Sequence, residues 1–374
     1  MRRMLLMVGA LAVVAVSAVL VSGASGSAGS RLTGDVCSAR WRVVATGAKV
    51  PLLSAVAAIS STDVWAVGDS AEEFAKATPV IVHWDGRRLR SYSGFKPSGR
   101  NGILTGIAAV ASDDVWAVGW DVKGPVVLHW DGRAWKRVTT PRVRGSGGLD
   151  GVAAISSSDV WAIGSDDNGP LVMHWNGRAW SLTSLRGLVD ANTSLSAVDG
   201  ASSHDIWTVG DRNLDDDYLG WAPVSLHWDG RSWKRVRAFE NDPAAGPVYG
   251  PMYGSTFRAV DVSSPSAVWT LGFDWGPGEQ EYILRWEGRK HHVAYKYEGY
   301  GSLFALAAVS PTNVWAVGVS LGDSPLVVHG DGKSLRDQRT PLDGLRGTTL
   351  EAVAALSATA IWAVGNHLVA RYSC

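Results

Sequence analysis

From residue 36 onward the apolar residues come in short bursts separated by polar turn residues, and the pattern repeats. The stretch "AVAAISSTDVWAVGDS" at 55–70 joins two apolar runs through a Ser/Thr/Asp turn, and it returns with variations around Trp116, Trp161, Trp207, Trp269, Trp315 and Trp362. With Trp65 that makes seven copies, whose tryptophans lie 51, 45, 46, 62, 46 and 47 residues apart. The first six copies continue into a second motif, such as "PVVLHWDGRAWKRV" at 125–138, in which Asp-Gly, Asn-Gly or Glu-Gly separates two further strand-like runs. Short runs rich in valine and aromatics, bounded by such turn residues, read as antiparallel strands. Asp-Gly and Asn-Gly suit a type I′ hairpin, whose two central residues both need positive φ. One copy therefore predicts four strands.

Four antiparallel strands at a period of 45 to 50 residues predict the blades of a β-propeller. The Ala-, Val- and Gly-rich first strand suits the crowded centre, where blades converge. The "VWAVG" strand is apolar on both faces, as needed in a sheet packed between two neighbouring sheets. The last copy ends after three strands, at "LVARYSC". The segment "CSARWRVVAT" at 37–46 aligns with "DGRAWKRVTT", placing Trp41 on Trp135. The expected fold is thus all-β: a single propeller of seven four-stranded blades spanning 36–374, its ring closed by an N-terminal strand that completes the C-terminal blade. Closure leaves no unpaired terminal edge. Cys37 and Cys374 both map to the turn that this arrangement cuts, and a disulfide between them is expected.

The "DVWAVG…HWDGxxW" repeat resembles that of secreted bacterial β-propeller proteins related in architecture to the kelch and galactose-oxidase central domains. The resemblance covers 36–374 and implies the fold but no particular activity. WD40 repeats are a poorer match, because the period is longer than most of theirs and their Gly-His…Trp-Asp pattern is missing.

Composition adds a leader and removes some partners. Residues 1–28 read as a signal peptide: "MRRM", then the seventeen-residue apolar run "LLMVGALAVVAVSAVLV", then a small-residue tail with cleavage after Ala24 or Ala28. Residues 29–35 form a short linker. A secreted, extracellular protein is expected, an uncleaved anchor being the alternative, and an oxidising compartment permits the disulfide. Net charge is zero, with 35 basic and 35 acidic residues. Nothing in that balance suggests nucleic acid or, after cleavage, a membrane as partner. A monomer is expected.

In such a ring the first and third turns of every blade share one face, while the loop between strands two and three and the link between blades share the other. The first kind is short and uniform here; the second varies. Binding groups favour loops held on a rigid scaffold. The strand two to three loops carry fourteen acidic and three basic residues, together with the three tryptophans outside the repeat pattern, Trp120, Trp221 and Trp275. Carboxylates beside flat rings suit carbohydrate, since rings stack on the apolar faces of sugars and carboxylates accept from hydroxyls. The candidate binding residues are Asp215, Asp216, Asp217, Tyr218, Trp221, Asp274 and Trp275, over blades four and five, together with Trp120 in the second copy. The expected partner is an extracellular glycan, a polar small molecule or a protein.

No cofactor is expected. "DRNLDDDYLGW" is acidic enough to raise the question of calcium, but lacks the EF-hand spacing. His83, His129, His174, His227 and His329 recur in one repeat slot, which marks them as structural rather than catalytic. The competing functional class is an extracellular carbohydrate-active enzyme of glycosidase type, whose paired loop carboxylates the sequence alone cannot locate.

Overall fold

Each repeat folds as four strands, and seven such sheets follow one another around a ring. The computed structural model describes residues 39–70, 77–92, 102–214, 220–236, 255–265, 267–274, 280–288 and 290–374. The chain enters through β1 (Arg40–Thr46). Blade I is β2 (Leu52–Ser60), β3 (Asp63–Asp69), β4 (Pro79–Trp84) and β5 (Leu89–Tyr92), and blade II is β6 (Gly102–Ala111), β7 (Asp114–Asp121), β8 (Gly124–Trp130) and β9 (Trp135–Arg137). Blade III is β10 (Gly148–Ser156), β11 (Asp159–Asp166), β12 (Gly169–Trp175) and β13 (Trp180–Leu182), and blade IV is β14 (Thr193–Ser202), β15 (Asp205–Asn213), β16 (Trp221–Trp228) and β17 (Trp233–Val236). Blade V is β18 (Ser255–Ser264), β19 (Ala267–Asp274), β20 (Gln280–Trp286) and β21 (His291–Tyr297), and blade VI is β22 (Gly301–Ser310), β23 (Asn313–Ser320), β24 (Pro325–Gly330) and β25 (Leu335–Asp337). Blade VII joins β26 (Ala352–Ser357), β27 (Ala360–Gly365) and β28 (Leu368–Ser373) to β1 as its fourth strand.

The first strand of each blade packs on the first strand of the next, and β26 packs on β2, so the ring is closed. Pairing of Trp41 with Tyr372 and of Arg40 with Ser373 fixes the closing register. The expected architecture and its closure are both present.

Tryptophan fills the gaps between sheets. The seven tryptophans of the second strands are at most 2% exposed. The aromatic of each fourth strand leans back on its predecessor: Trp135 lies 5.4 Å from Trp65, Trp180 5.8 Å from Trp116, Trp233 5.5 Å from Trp161, and Trp41 5.9 Å from Trp315. Edge-on pairs of this kind add to the burial of their area.

The repeated histidines are part of this packing. In five blades the histidine ring stacks on the second-strand tryptophan at 4.1–4.4 Å. Its Nε2 donates to Asp63, Asp114, Asp159 or Asp205 at 2.7–2.8 Å, and to Asn313 at 3.0 Å in blade VI. In blade II the Trp116 indole N–H donates to the same Asp114 oxygen at 2.8 Å. Burial alone would raise the pKa of Asp63, but hydrogen bonds from His83 and from Ser112 in the next blade outweigh it and lower the value.

The turns between third and fourth strands differ from the type I′ expectation. Only their glycines have positive φ, 86° at Gly86 and 82° at Gly132. Trp84 pairs with Leu89, leaving a four-residue loop in which Asp85 Oδ1 accepts from the N–H groups of Arg87 and Arg88 at 2.9 Å. The carboxylate supplies the bonds that a two-residue hairpin would take from backbone. A Cβ on Gly86 would lie 2.8 Å from the Thr62 Cβ, so the two uniform turns of the blade nest on one face.

Candidate functional site

On the opposite face each inner strand begins with a β-bulge. The register skips between Leu53 and Ala55, Leu104 and Gly106, Leu149 and Gly151, Leu195 and Ala197, Phe257 and Ala259, and Leu303 and Ala305. This explains the glycine that ends "VWAVG": a Cβ on Gly68 would sit 1.8 Å from the Leu52 carbonyl oxygen, and one on Gly119 2.1 Å from that of Ile103. A bulge also re-aims the extra side chain. The extra residues are Ser54, Thr105, Asp150, Ser196, Arg258 and Phe304. Glu351, whose N–H donates to the Val364 carbonyl at 2.8 Å, takes the corresponding place in blade VII. A mixed ring of hydroxyls, two acids, one arginine and one phenylalanine thus marks the innermost strands near the variable face.

Arg258 organises one sector of that ring. Its Nη1 donates to Glu281 Oε1 and to the Leu303 carbonyl of blade VI, both at 3.2 Å. Glu281 Oε1 also accepts from the Leu303 N–H at 3.2 Å, and the guanidinium lies 4.5 Å from the centre of the Phe273 ring. Burial pushes Glu281 up to about 7, with Arg258 and the Leu303 N–H pulling it only part of the way back. Asp211, in blade IV, is likewise pushed up to about 7 by burial against the pull of Arg258. Burial raises Asp150 to about 6 and also raises Glu351, whose rise the Thr349 hydroxyl opposes. Deeper in the ring, burial and then the nearby charge of Asp199 push Asp261 well above the usual carboxylate range. Asp199 itself accepts from the Val262 N–H of the next blade at 2.7 Å.

A crevice opens beside this sector on blade V. It is a shallow crevice with room for little more than a water molecule, lined by Thr256, Phe257, Phe273, Asp274, Tyr282 and Val293, among others. Blade V departs from the repeat around it. His291 pairs with Trp286 where Trp135 pairs with Trp130. Phe257 takes the place of the leucine at 53, 104 and 149, and Tyr282 that of Val80 and Val126. Desolvation lowers His291 to about 4, so the buried imidazole is neutral. Desolvation and then Asp274 raise the Tyr282 pKa, which keeps its hydroxyl as a donor.

The predicted binding residues do not all gather there. Asp274 lines the cleft, is 6% exposed, and ends β19. Trp221 opens β16 opposite Asn213 and is half-buried. Trp120 is distant in the ring: its indole packs between blades II and III, where a Cβ on Gly148 would meet its Cγ at 3.0 Å. Asp215, Asp216, Asp217, Tyr218 and Trp275 lie outside the described residues. Several loop acids serve their own loops. Asp121 accepts from the Lys123 N–H at 2.8 Å and pairs with Arg137 at 2.7 Å, and Asp190 pairs with Arg212 at 2.5 Å. Among the described residues no three His, Cys, Asp or Glu side chains are grouped to hold a metal ion. Sequence reasoning missed Phe257, His291 and the Arg258 sector; the signal available was their departure from the repeat.

No protein-family model matches the chain, and a search of curated proteins finds no match. Solved structures do resemble it. YCF48 bound to D1 peptide shares 13% identity at a TM-score of 0.58, over 91% of this chain and 98% of that one. YCF48 from Cyanidioschyzon merolae shares 14% at 0.59, over 89% and 99%. Virginiamycin B lyase from Staphylococcus aureus shares 10% at 0.60, over 90% and 100%. Likeness at such low identity establishes the propeller fold alone.

Proposed function

We propose that the chain is a propeller binding scaffold that takes a polar ligand with apolar faces, of carbohydrate type, on the variable face around the blade V crevice. The observation that supports this reading is the crevice at the variable face of blade V, where the aromatic residues Phe257 and Tyr282 line the same recess as Asp274. Flat rings offer stacking surface, while the tyrosine hydroxyl and the carboxyl offer a donor and an acceptor. Glycan-array binding tests it. Tyr282→Ala and Trp221→Ala are each expected to weaken the best-bound glycan at least tenfold, whereas Trp120→Ala should leave it unchanged. Absence of glycan binding, or indifference to both cleft-side changes, overturns the reading. The same outcome with a bound peptide would favour a protein ligand, as in the YCF48 complex with D1 peptide. Turnover of chromogenic glycosides that Asp274→Asn abolishes would instead make the protein an enzyme.

The setting we infer is extracellular, after removal of residues 1–28, with kinship to secreted kelch-like or galactose-oxidase-like repeats and a Cys37–Cys374 disulfide. Cys37 lies outside the described residues. The Arg40–Ser373 pairing supports the bond, since continuing it sets Cys374 opposite Ala39, two positions from Cys37. Bridging so long a loop is worth about 2–4 kcal/mol in typical measurements. Thiol titration of the native, unreduced protein should find no reactive thiol; two reactive thiols would exclude the bond.

A further inference from the structure

The face opposite the cleft carries a repeated feature that the fold does not require. In all six turns between third and fourth strands the residue after the glycine is basic: Arg87, Arg133, Arg178, Arg231, Arg289 and Lys333. Arg289 lies outside the described residues; the other five are exposed, and their side chains make no ion pair with the described residues. The turn uses only their N–H groups, which the Asp or Asn acceptor holds at 2.9–3.0 Å. Any residue except proline could supply that N–H. The next position, equally exposed to change, varies freely: Arg88, Ala134, Ala179, Ser232, Lys290 and Ser334.

The turn carboxylates do not cancel these cations. Asp85 pairs with Arg90 at 2.7 Å, Asp131 with Lys136 at 2.5 Å and Asp229 with Lys234 at 2.6 Å, so each turn balances its own acid and leaves the extra cation free. Asp113, in the adjoining turn of blade II, and Asp63, Asp114, Asp159 and Asp205, which lie beneath the turns at the same end of the blades, subtract from this charge, so the cationic excess is small and sits in the exposed outer layer. A net charge of zero thus hides a division: the variable loops are acidic, and the uniform face bears a rim of cations.

A second observation concerns the same face. β1 begins beside the end of β28, at the position of the missing turn, so the chain enters the propeller on the cationic face. Seventeen residues, 22–38, separate Ala39 from the apolar run at 5–21.

We propose that the uniform face docks flat on an anionic lipid bilayer and holds the cleft face outward. A rim of cations on one side of a disc can meet a plane at all its turns at once, whereas a linear polyanion would touch two or three neighbouring turns. The chain enters the propeller on this same side. This departs from the expectation drawn from net charge, which averages the two faces.

Vesicle flotation tests it with the exported protein recovered in soluble form. Phosphatidylglycerol vesicles should carry at least ten times more protein than phosphatidylcholine vesicles at 50 mM NaCl, and 500 mM NaCl should release it. Each arginine near an anionic surface is worth about fivefold in affinity. The variant Arg87→Gln/Arg133→Gln/Arg178→Gln/Arg231→Gln should therefore bind at least a hundredfold more weakly, with its thermal midpoint unchanged. Should that variant not fold, Arg178→Gln alone should cost about fivefold. Equal binding to both vesicles, or undiminished binding by the folded variant, overturns the proposal. So does retention on heparin or duplex DNA without vesicle binding, which would assign the rim to a soluble polyanion.

Discussion

Replacing Trp41 by alanine should cost about 3–5 kcal/mol of stability, the range for deleting a large buried aromatic. Trp41 is 4% exposed on the closing strand and packs 5.9 Å from Trp315 and 5.8 Å from Tyr372. Its removal empties the contact that β1 makes with Trp315 of blade VI, so the strand should also lose its hold on β28. Its indole N–H has no acceptor, so Trp41→Phe sacrifices no hydrogen bond and should cost less than half as much. Urea denaturation reads both. A Trp41→Ala midpoint close to that of the parent would mean that blade VII is held without its fourth strand.

The second large effect is with pH, and its sign follows from which state keeps protons. Asp150 titrates at about 6 in the folded protein, and Asp211 and Glu281 at about 7, all pushed up first by burial. In the unfolded chain such carboxyls release their protons near pH 4. Between pH 4 and 7 the folded state therefore binds more protons from these groups, and stability falls as pH rises. His291 works the other way, because its folded pKa of about 4 lies below the unfolded value near 6.5. It loses stability as pH falls through that interval. Three groups outweigh one, so the protein should be more stable at pH 5.5 than at pH 7.5, by roughly 1 kcal/mol per pH unit after allowance for partial solvent access. Asp211→Asn should flatten the dependence and raise the midpoint at pH 7.5. A parent midpoint that is equal or higher at pH 7.5 would show that these carboxyls are better solvated than their surroundings imply.

Much of the fold was legible because its determinants are local and recur. Seven tryptophans in one motif counted the blades, and the offset between "LVARYSC" and "CSARWRVVAT" located the closure. The same recurrence marked the five histidines as structural, and each does stack on its tryptophan and bond its Asp or Asn. The turn geometry was misread because a side-chain acceptor, Asp85 Oδ1, replaces backbone bonds that the dipeptide alone suggests. The site was legible only in part, because contacts between blades decide where a loop aromatic points. Trp120 and Trp221 look alike in sequence, yet Trp120 is committed to Gly148 of blade III. Beside the crevice blade V departs from the repeat at Phe257, Tyr282 and His291, whose relative placement depends on the register within that blade.

The pairing of β1 with β28 also sets an order of events. The first strand to leave the ribosome has as its partner the last, more than 320 positions later, since Arg40 pairs with Ser373. Blades I to VI can form in turn as the chain emerges, but β1 must wait for β28 with its edge exposed. Contacts of such separation are slow to find. A chain cut short anywhere before β28 could not close, so synthesis through β28 is itself the condition for a sealed ring, and products truncated before it would present an open edge to proteases.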